Sequence, residues 1–343
     1  MTLSLAEPLL WFGLIPLPPN TGNLLMLQHE TLFSETSHPI VLRAPLSSTA
    51  ASLCLYIAEN RDSLDRLLDL HSGVLFRGFN IKTPDDFASV TECFVVCPNG
   101  YVGGNSPRTR VTRDIYTSTE YPASERISLH NEMSYLPHWP SRLLFQCAVA
   151  PTSGGQTTLA HAADVMASMP KRICEELRER KLCYVRTMQA NDFLGKGWKT
   201  TYATDDKASV EQIIRAQGST PVWLTQDVLQ VRTHSEPFTH HPRTQQEVWF
   251  NQAEQWHPSA LSAGMRQLIQ DAFGSERFPH DCRFGDGSPI PDEFMADIRT
   301  VLNKNALLFD WQAGDLLVID NVLAMHGREA FSGPRKIHVF LAE

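Results

Sequence analysis

Three residues and their neighbours constrain this chain most. His130 and Glu132 stand two apart in Arg126-Ile127-Ser128-Leu129-His130-Asn131-Glu132, and His326 stands far downstream in Met325-His326-Gly327-Arg328. The first segment alternates polar and apolar residues, which predicts a strand. Residues two apart on a strand share a face, so the His130 imidazole and the Glu132 carboxylate can reach one ion. Two imidazoles and one carboxylate gathered on one side of a metal leave the opposite side open for further ligands, an arrangement suited to oxidative chemistry at Fe(II).

A His-x-acid triplet is a common chance pattern, and the chain holds another, His234-Ser235-Glu236. Pro237 follows it at once, in a stretch from Thr233 to Arg243 crowded with His, Pro and Thr, so turn signals outweigh any strand pattern and the segment reads as loop. The neighbouring His240-His241 pair reads as solvated loop, since adjacent residues on a strand point apart.

Two further segments add to the first triplet. In Pro151-Thr152-Ser153-Gly154-Gly155-Gln156-Thr157, paired glycines permit a tight turn with positive φ and deliver the Thr157 hydroxyl to a fixed place. Near the C terminus, Leu316-Leu317-Val318-Ile319-Asp320 and Ile337-His338-Val339-Phe340 predict apolar strands around a polar turn that carries His326. Arg335 starts the return strand. A guanidinium there is always charged and can grip a carboxylate with two parallel hydrogen bonds.

Together these residues resemble the TauD/TfdA family of Fe(II)- and 2-oxoglutarate-dependent dioxygenases. Its pattern is His-x-Asp/Glu, a later Thr or Ser, a distal His and then an Arg, matched here by His130, Glu132, Thr157, His326 and Arg335. Gly73-Val74-Leu75-Phe76-Arg77-Gly78-Phe79, Tyr101-Val102-Gly103-Gly104, Ser106-Pro107-Arg108-Thr109, Gly197-Trp198-Lys199-Thr200 and Val248-Trp249-Phe250-Asn251 extend the likeness to the clavaminate-synthase-like branch, from Ser72 to the C terminus. One departure concerns the distal Arg: it usually lies slightly further along the return strand, where this chain has Val339 or Phe340. The role is therefore carried to Arg335 in the Gly-Pro-Arg turn, with Arg328 as the fallback.

The resemblance implies a mainly β fold with flanking helices around a double-stranded β-helix, the jelly-roll or cupin-like core. It also implies that His130, Glu132 and His326 bind Fe(II), that Thr157 and Arg335 bind 2-oxoglutarate, and that O2 is the oxidant. The expected reaction hydroxylates an unactivated C–H bond of a small amino-acid-like metabolite, free or carrier-bound, and releases succinate and CO2. Arg108, Arg126 and Asn251 are candidates for gripping polar groups of that substrate. Halogenases of this kind replace the carboxylate ligand with a small residue, and Glu132 argues against that outcome; desaturation or ring closure stays open. Two other classes also remain: a zinc hydrolase using the same two His and Glu, and a non-catalytic binding protein on the same scaffold.

A chain of 343 residues can bury a sizeable core. The expected organisation is one dioxygenase domain over residues 1–343, with 1–50 an N-terminal extension and about 186–283, the least regular stretch, an insertion that acts as a lid. The net charge of −8 gives no general attraction for nucleic acid. Leu9 to Pro19 is apolar but short and broken by prolines, too short to cross a bilayer and a poor signal peptide; it reads as a surface-packed arm of a cytoplasmic protein. Seven irregularly spaced cysteines suggest reduced thiols. Helices are expected within Ala50–Leu70, with an interruption, after Thr83-Pro84, after a cap at Asp164, from Pro170 to Arg180, and over Pro289–Asn303.

Overall fold

The computed structural model describes residues 27–45, 48–98, 108–192, 195–274 and 277–343. The Leu9–Pro19 segment, Tyr101-Val102-Gly103-Gly104 and Ser106-Pro107 lie outside the described residues.

Period-two patterning builds the core. A seven-stranded sheet runs in the order Gln28–Thr31, Ile40–Arg43, Gly73–Arg77, Leu316–Asp320, Arg142–Val149, Lys336–Ala342 and Ile115–Thr117. On its inner face Val41, Leu75, Leu143, Phe145, Leu317, Ile319 and Val339 pack together. Their immediate neighbours Leu42, Val74, Phe76, Leu144, Val318 and Phe340 point the other way, onto helices. Both faces are covered at the central strands, so Val74-Leu75-Phe76 and Leu316-Leu317-Val318-Ile319 are apolar without a break. A four-stranded sheet, Leu307–Phe309, Thr157–His161, Ala324–Arg328 and Ile127–His130, contributes Leu159, Phe309 and Ala324 to the inner core. The two sheets form the jelly-roll core, buttressed by helices as expected.

The helices start where local chemistry allows. Thr49 and Ser52 form a reciprocal capping box ahead of Ala50–Glu59, and Thr83 with Asp86 does the same ahead of Pro84–Thr91, whose first residue is proline. The expected interruption falls at Asn60, after which Arg61–His71 buries Leu64, Leu67 and Leu68. Asp164 is not a cap: the Thr157–His161 strand runs straight into Ala162–Ser168, leaving His161 at the cap position and Asp164 in the first turn.

Residues 186–283 are more regular than expected. Thr220–Trp223, Val228–Ser235, Leu182–Gln189 and His280–Phe284 form a third, four-stranded sheet, joined by helices such as Lys207–Ala216 and Ala263–Phe273. His234 and Ser235 thus end a strand rather than occupying a loop, and His234 pairs with Cys183; the partner strand overrides the local turn signal. His241 is not solvated either. It is 1% exposed, with Nε2 3.1 Å from Asp320 Oδ2 and Nδ1 3.0 Å from Thr244 Oγ1.

One buried ion pair ties the large sheet to its turns. Arg77 donates through Nε and Nη2 to the two carboxylate oxygens of Asp315 at 2.9 and 2.6 Å, and Asp315 also accepts the Gln312 backbone N–H at 2.8 Å. Removing one partner of a buried pair leaves the other charge uncompensated. Asp315→Ala is therefore expected to lower stability by about 3–5 kcal/mol, read as a drop in the urea midpoint with little change in slope.

Candidate active site

The four-stranded sheet brings the three predicted residues together. Ala324–Arg328 pairs on one side with Thr157–His161 and on the other with Ile127–His130, and in the second pairing His326 faces His130 directly. Their rings stand 4.3 Å apart, centre to centre. The register slips between His326 and Arg328, at Gly327. A Cβ at Gly327 would lie 2.4 Å from Thr158 Oγ1 and 2.5 Å from the Ile127 carbonyl, so only glycine lets the strands close here. Glu132 follows the strand end, its Oε2 3.7 Å from His326 Nε2. One donor atom from each of His130, Glu132 and His326 lies within 4.8 Å of the others, and all three residues are buried.

Side-chain amides hold this corner. Asn321 Oδ1 accepts the Glu132 backbone N–H at 2.8 Å, and Asn321 Nδ2 donates to the carbonyls of Glu132 at 3.0 Å and Pro140 at 2.9 Å. Asn131 Nδ2 returns a hydrogen bond to the Asn321 carbonyl at 2.8 Å, and Gln252, from the third-sheet region, donates to the Asn131 carbonyl at 2.7 Å. Sequence reasoning missed Asn321 and Gln252, because an amide beside a strand end looks like any polar turn residue. His130 Nδ1 lies 2.9 Å from the Ser128 carbonyl. That contact places the ring proton on Nδ1 and leaves Nε2 as the ligand atom.

The charges suit a divalent cation. Burial, and after it the neighbouring His326, pushes His130 down to about 4, so the imidazole is neutral at physiological pH. Burial alone would raise the Glu132 carboxyl, but the Arg108 guanidinium and the two imidazoles outweigh it and hold the group well below the usual carboxylate range. Arg108 Nη2 donates to Glu132 Oε2 at 2.5 Å, with both side chains buried. Two imidazoles and an ionised carboxylate fit Fe(II).

A cavity opens beside this set, lined among others by Arg108, Ser118, Thr119, Phe145, Thr157 and Arg335, with His130 and His326 on its wall. Arg335 donates through Nε to the Gly155 carbonyl at 3.1 Å and lies 3.5 Å from the Ser118 hydroxyl, and no carboxylate pairs with it among the described residues. Burial lowers its guanidinium to about 10, still charged at neutral pH. Thr157 Oγ1 accepts from Trp311 Nε1 at 2.8 Å, a positioning contact that sequence reasoning also missed. Arg328, the fallback, is engaged elsewhere: it donates to the carbonyls of Tyr121, Pro122 and Glu125 at 3.2, 2.8 and 2.6 Å.

The three substrate candidates separate. Arg108 faces the cavity. Arg126 pairs with Glu329 at 2.9 Å and donates to Asn303 at 2.7 Å, outside the cavity lining. Asn251, also outside that lining, donates to the Pro237 carbonyl at 2.9 Å and accepts the Ala253 N–H at 3.1 Å, bracing the turn into a short helix.

Comparison with known proteins agrees with this geometry. Residues 45–341 match the model of the taurine catabolism dioxygenase TauD, TfdA family. The chain belongs to this family. It is a 2-oxoglutarate-dependent non-haem iron dioxygenase, an oxidoreductase that uses Fe(II), 2-oxoglutarate and O2. The dapdiamide synthesis protein DdaC of Enterobacter agglomerans is 30% identical over 317 residues, covering 90% of this chain and 95% of the relative. A clavaminate synthase-like protein of Arabidopsis thaliana is 32% identical over 317 residues, covering 87% and 92%. Among solved structures, PvcB of Pseudomonas aeruginosa superposes with a TM-score of 0.53 at 16% identity, covering 95% of this chain and 94% of that one, a likeness of fold. Family membership sets aside the zinc hydrolase and the non-catalytic binding protein. No helix among the described residues is long and apolar enough to cross a membrane.

Asn321→Ala would strand the Glu132 N–H and two carbonyls. Each buried orphan costs roughly 1–3 kcal/mol. The variant is expected to melt earlier and to bind Fe(II) less tightly than wild type, measured by calorimetry and by iron retained after gel filtration.

Proposed function

We propose that this dioxygenase hydroxylates an unactivated C–H bond of a small amino-acid-like metabolite, free or tethered as an aminoacyl group to a carrier protein, converting 2-oxoglutarate and O2 to succinate and CO2. In this reading His130, Glu132 and His326 hold the iron, and Arg335 with Thr157 receives the far carboxylate of 2-oxoglutarate. The observation that carries it is the partly buried Arg335 guanidinium, without a carboxylate partner among the described residues, facing the same cavity as the two imidazoles. A guanidinium so placed awaits an anion. A relative named for dapdiamide synthesis supports a small-metabolite substrate.

Fe(II) carrying 2-oxoglutarate would activate O2, which supplies the oxidising power. The chain's own work is to position and to shield. Trp311 fixes the Thr157 hydroxyl, Gly155 orients Arg335 through its carbonyl, and Arg108 keeps Glu132 ionised while offering a guanidinium to a polar group of the substrate. We read residues 1–343 as one catalytic unit in which about 186–283 covers the site, Gln252 linking that cover to Asn131. The location proposed is cytoplasmic.

The decisive experiment adds Fe(II) and then 2-oxoglutarate to metal-free protein under anaerobic conditions. A weak visible charge-transfer band that needs both additions supports the reading; its absence in correctly folded, iron-loaded protein sinks it. His130→Ala, Glu132→Ala and His326→Ala should each abolish iron-dependent 2-oxoglutarate turnover while the fold persists.

Arg335→Ala should weaken 2-oxoglutarate binding by about 2–5 kcal/mol, roughly thirtyfold to several-thousandfold, far more than it weakens iron binding. Thr157→Ala removes one hydroxyl contact, and about 1–3 kcal/mol is expected. Arg328→Ala should instead lower stability, because it frees three backbone carbonyls. Titrating each variant with 2-oxoglutarate tests the order; a severe binding defect in Arg328→Ala beside a normal Arg335→Ala would reverse the assignment.

A further inference from the structure

A second group of metal-ligating side chains lies outside the cavity lining. His161 ends the Thr157–His161 strand, His38 precedes the Ile40–Arg43 strand, and Asp164 sits in the first turn of Ala162–Ser168. The His38 and His161 rings stack at 4.4 Å, 15° apart. His71, the last residue of its helix, stands edge-on to His38 at 6.4 Å. One donor atom from each of His38, His161 and Asp164 lies within 4.8 Å of the others, the same span that the His130, Glu132 and His326 donors satisfy.

The polar atoms here are underused. Nδ1 of His38 and Nδ1 of His161 are buried and have no hydrogen-bond partner. Such atoms normally find one. His161 Nδ1 and Asp164 Oδ1 lie 3.9 Å apart, beyond hydrogen-bond reach. That distance nevertheless suits two donors sharing an ion held at roughly 2.0–2.2 Å from each. Burial, and next the neighbouring His38, lowers His161 to about 4, so its imidazole is a neutral potential ligand at physiological pH. Asp164 is 65% exposed and can swing inward. His38 is partly exposed, and one of its ring nitrogens lies within the same 4.8 Å span; binding an ion requires that ring to turn out of its near-parallel stack on His161.

We propose that His38, His161 and Asp164 form a second site for a borderline divalent cation of the Zn(II) type, with His71 beside it. Two nitrogens and one oxygen suit Zn(II), Co(II) or Ni(II) better than Mg(II) or Ca(II), which prefer oxygen alone. The ion would clip the start of the large sheet to the strand and helix that leave the four-stranded sheet. This inference does not depend on the roles proposed for the cavity residues.

The test uses full-length chain, stripped with a chelator, in which His130→Ala, Glu132→Ala and His326→Ala are combined. Equilibrium dialysis against Zn(II), and titration with Co(II) followed by its visible d–d bands, should show one bound equivalent. Adding His161→Ala should abolish it, and adding Asp164→Asn should weaken it. Zn(II) should also raise the melting temperature, reversibly on chelation. If the combined variant does not fold, the same measurements on wild type should show one equivalent more than on His161→Ala. An empty combined variant, or a Zn(II) stoichiometry in wild type that neither His38→Ala nor His161→Ala lowers, would overturn the site and leave bridging water to serve these nitrogens.

Discussion

The register of one short strand governs the site. Ala324–Arg328 lies between Ile127–His130 and Thr157–His161, and its pairing sets His326 opposite His130 on one side and Leu159 on the other. A slip of one residue would turn every side chain of that strand to the opposite face. Gly327 makes such a slip difficult, because the strands close over it more tightly than any Cβ permits. The inner core then fixes the ring itself: Phe145, from the opposing sheet, stands 5.2 Å from the His326 ring. The placement of the two imidazoles is therefore a consequence of sheet register and core packing. No flexible loop has to find it.

Charge is balanced locally around the same strands. Glu132 brings a buried negative charge, and Arg108 meets it directly. Arg335 brings a partly buried positive charge to the cavity, stabilised by carbonyl and hydroxyl dipoles rather than by a carboxylate. The difference separates a structural cation from a receptive one. An arginine whose two terminal nitrogens are taken by backbone carbonyls, such as Arg328, can lie on the lining of the same cavity and still have little left to offer a ligand.

How far the sequence could be read followed the range of the interactions. The alternating segment around His130, the proline-led helix start at Thr83-Pro84, and the apolar strands near the C terminus are local signals, and each appears in the structure where it was expected. The distal imidazole was legible only because a family pattern linked it to a motif far upstream. Residues whose roles come from partners distant in sequence gave no local sign. Asn321 looks like a polar strand end until its partners at Glu132 and Pro140 are seen, and Trp311 looks like core filler until its indole reaches Thr157. The strand through His234 was hidden for the same reason: its neighbour, Leu182–Gln189, supplies the stability that local turn residues argue against.

Thr157–His161 shows how one strand can serve two kinds of chemistry. Thr157, Leu159 and His161 stand two apart, so they share a face, and their partners on the neighbouring strand are Arg328, His326 and Ala324. Thr157 borders the cavity near Arg335, Leu159 supports the position of His326 across the ladder, and His161 reaches the group formed with His38 and Asp164. A period-two ladder keeps such positions at fixed spacing, and a change at one end is carried by rigid backbone rather than absorbed by a loop. An ion held at His161 would stiffen the strand that also presents Thr157, and so would reduce the motion available to one wall of the cavity.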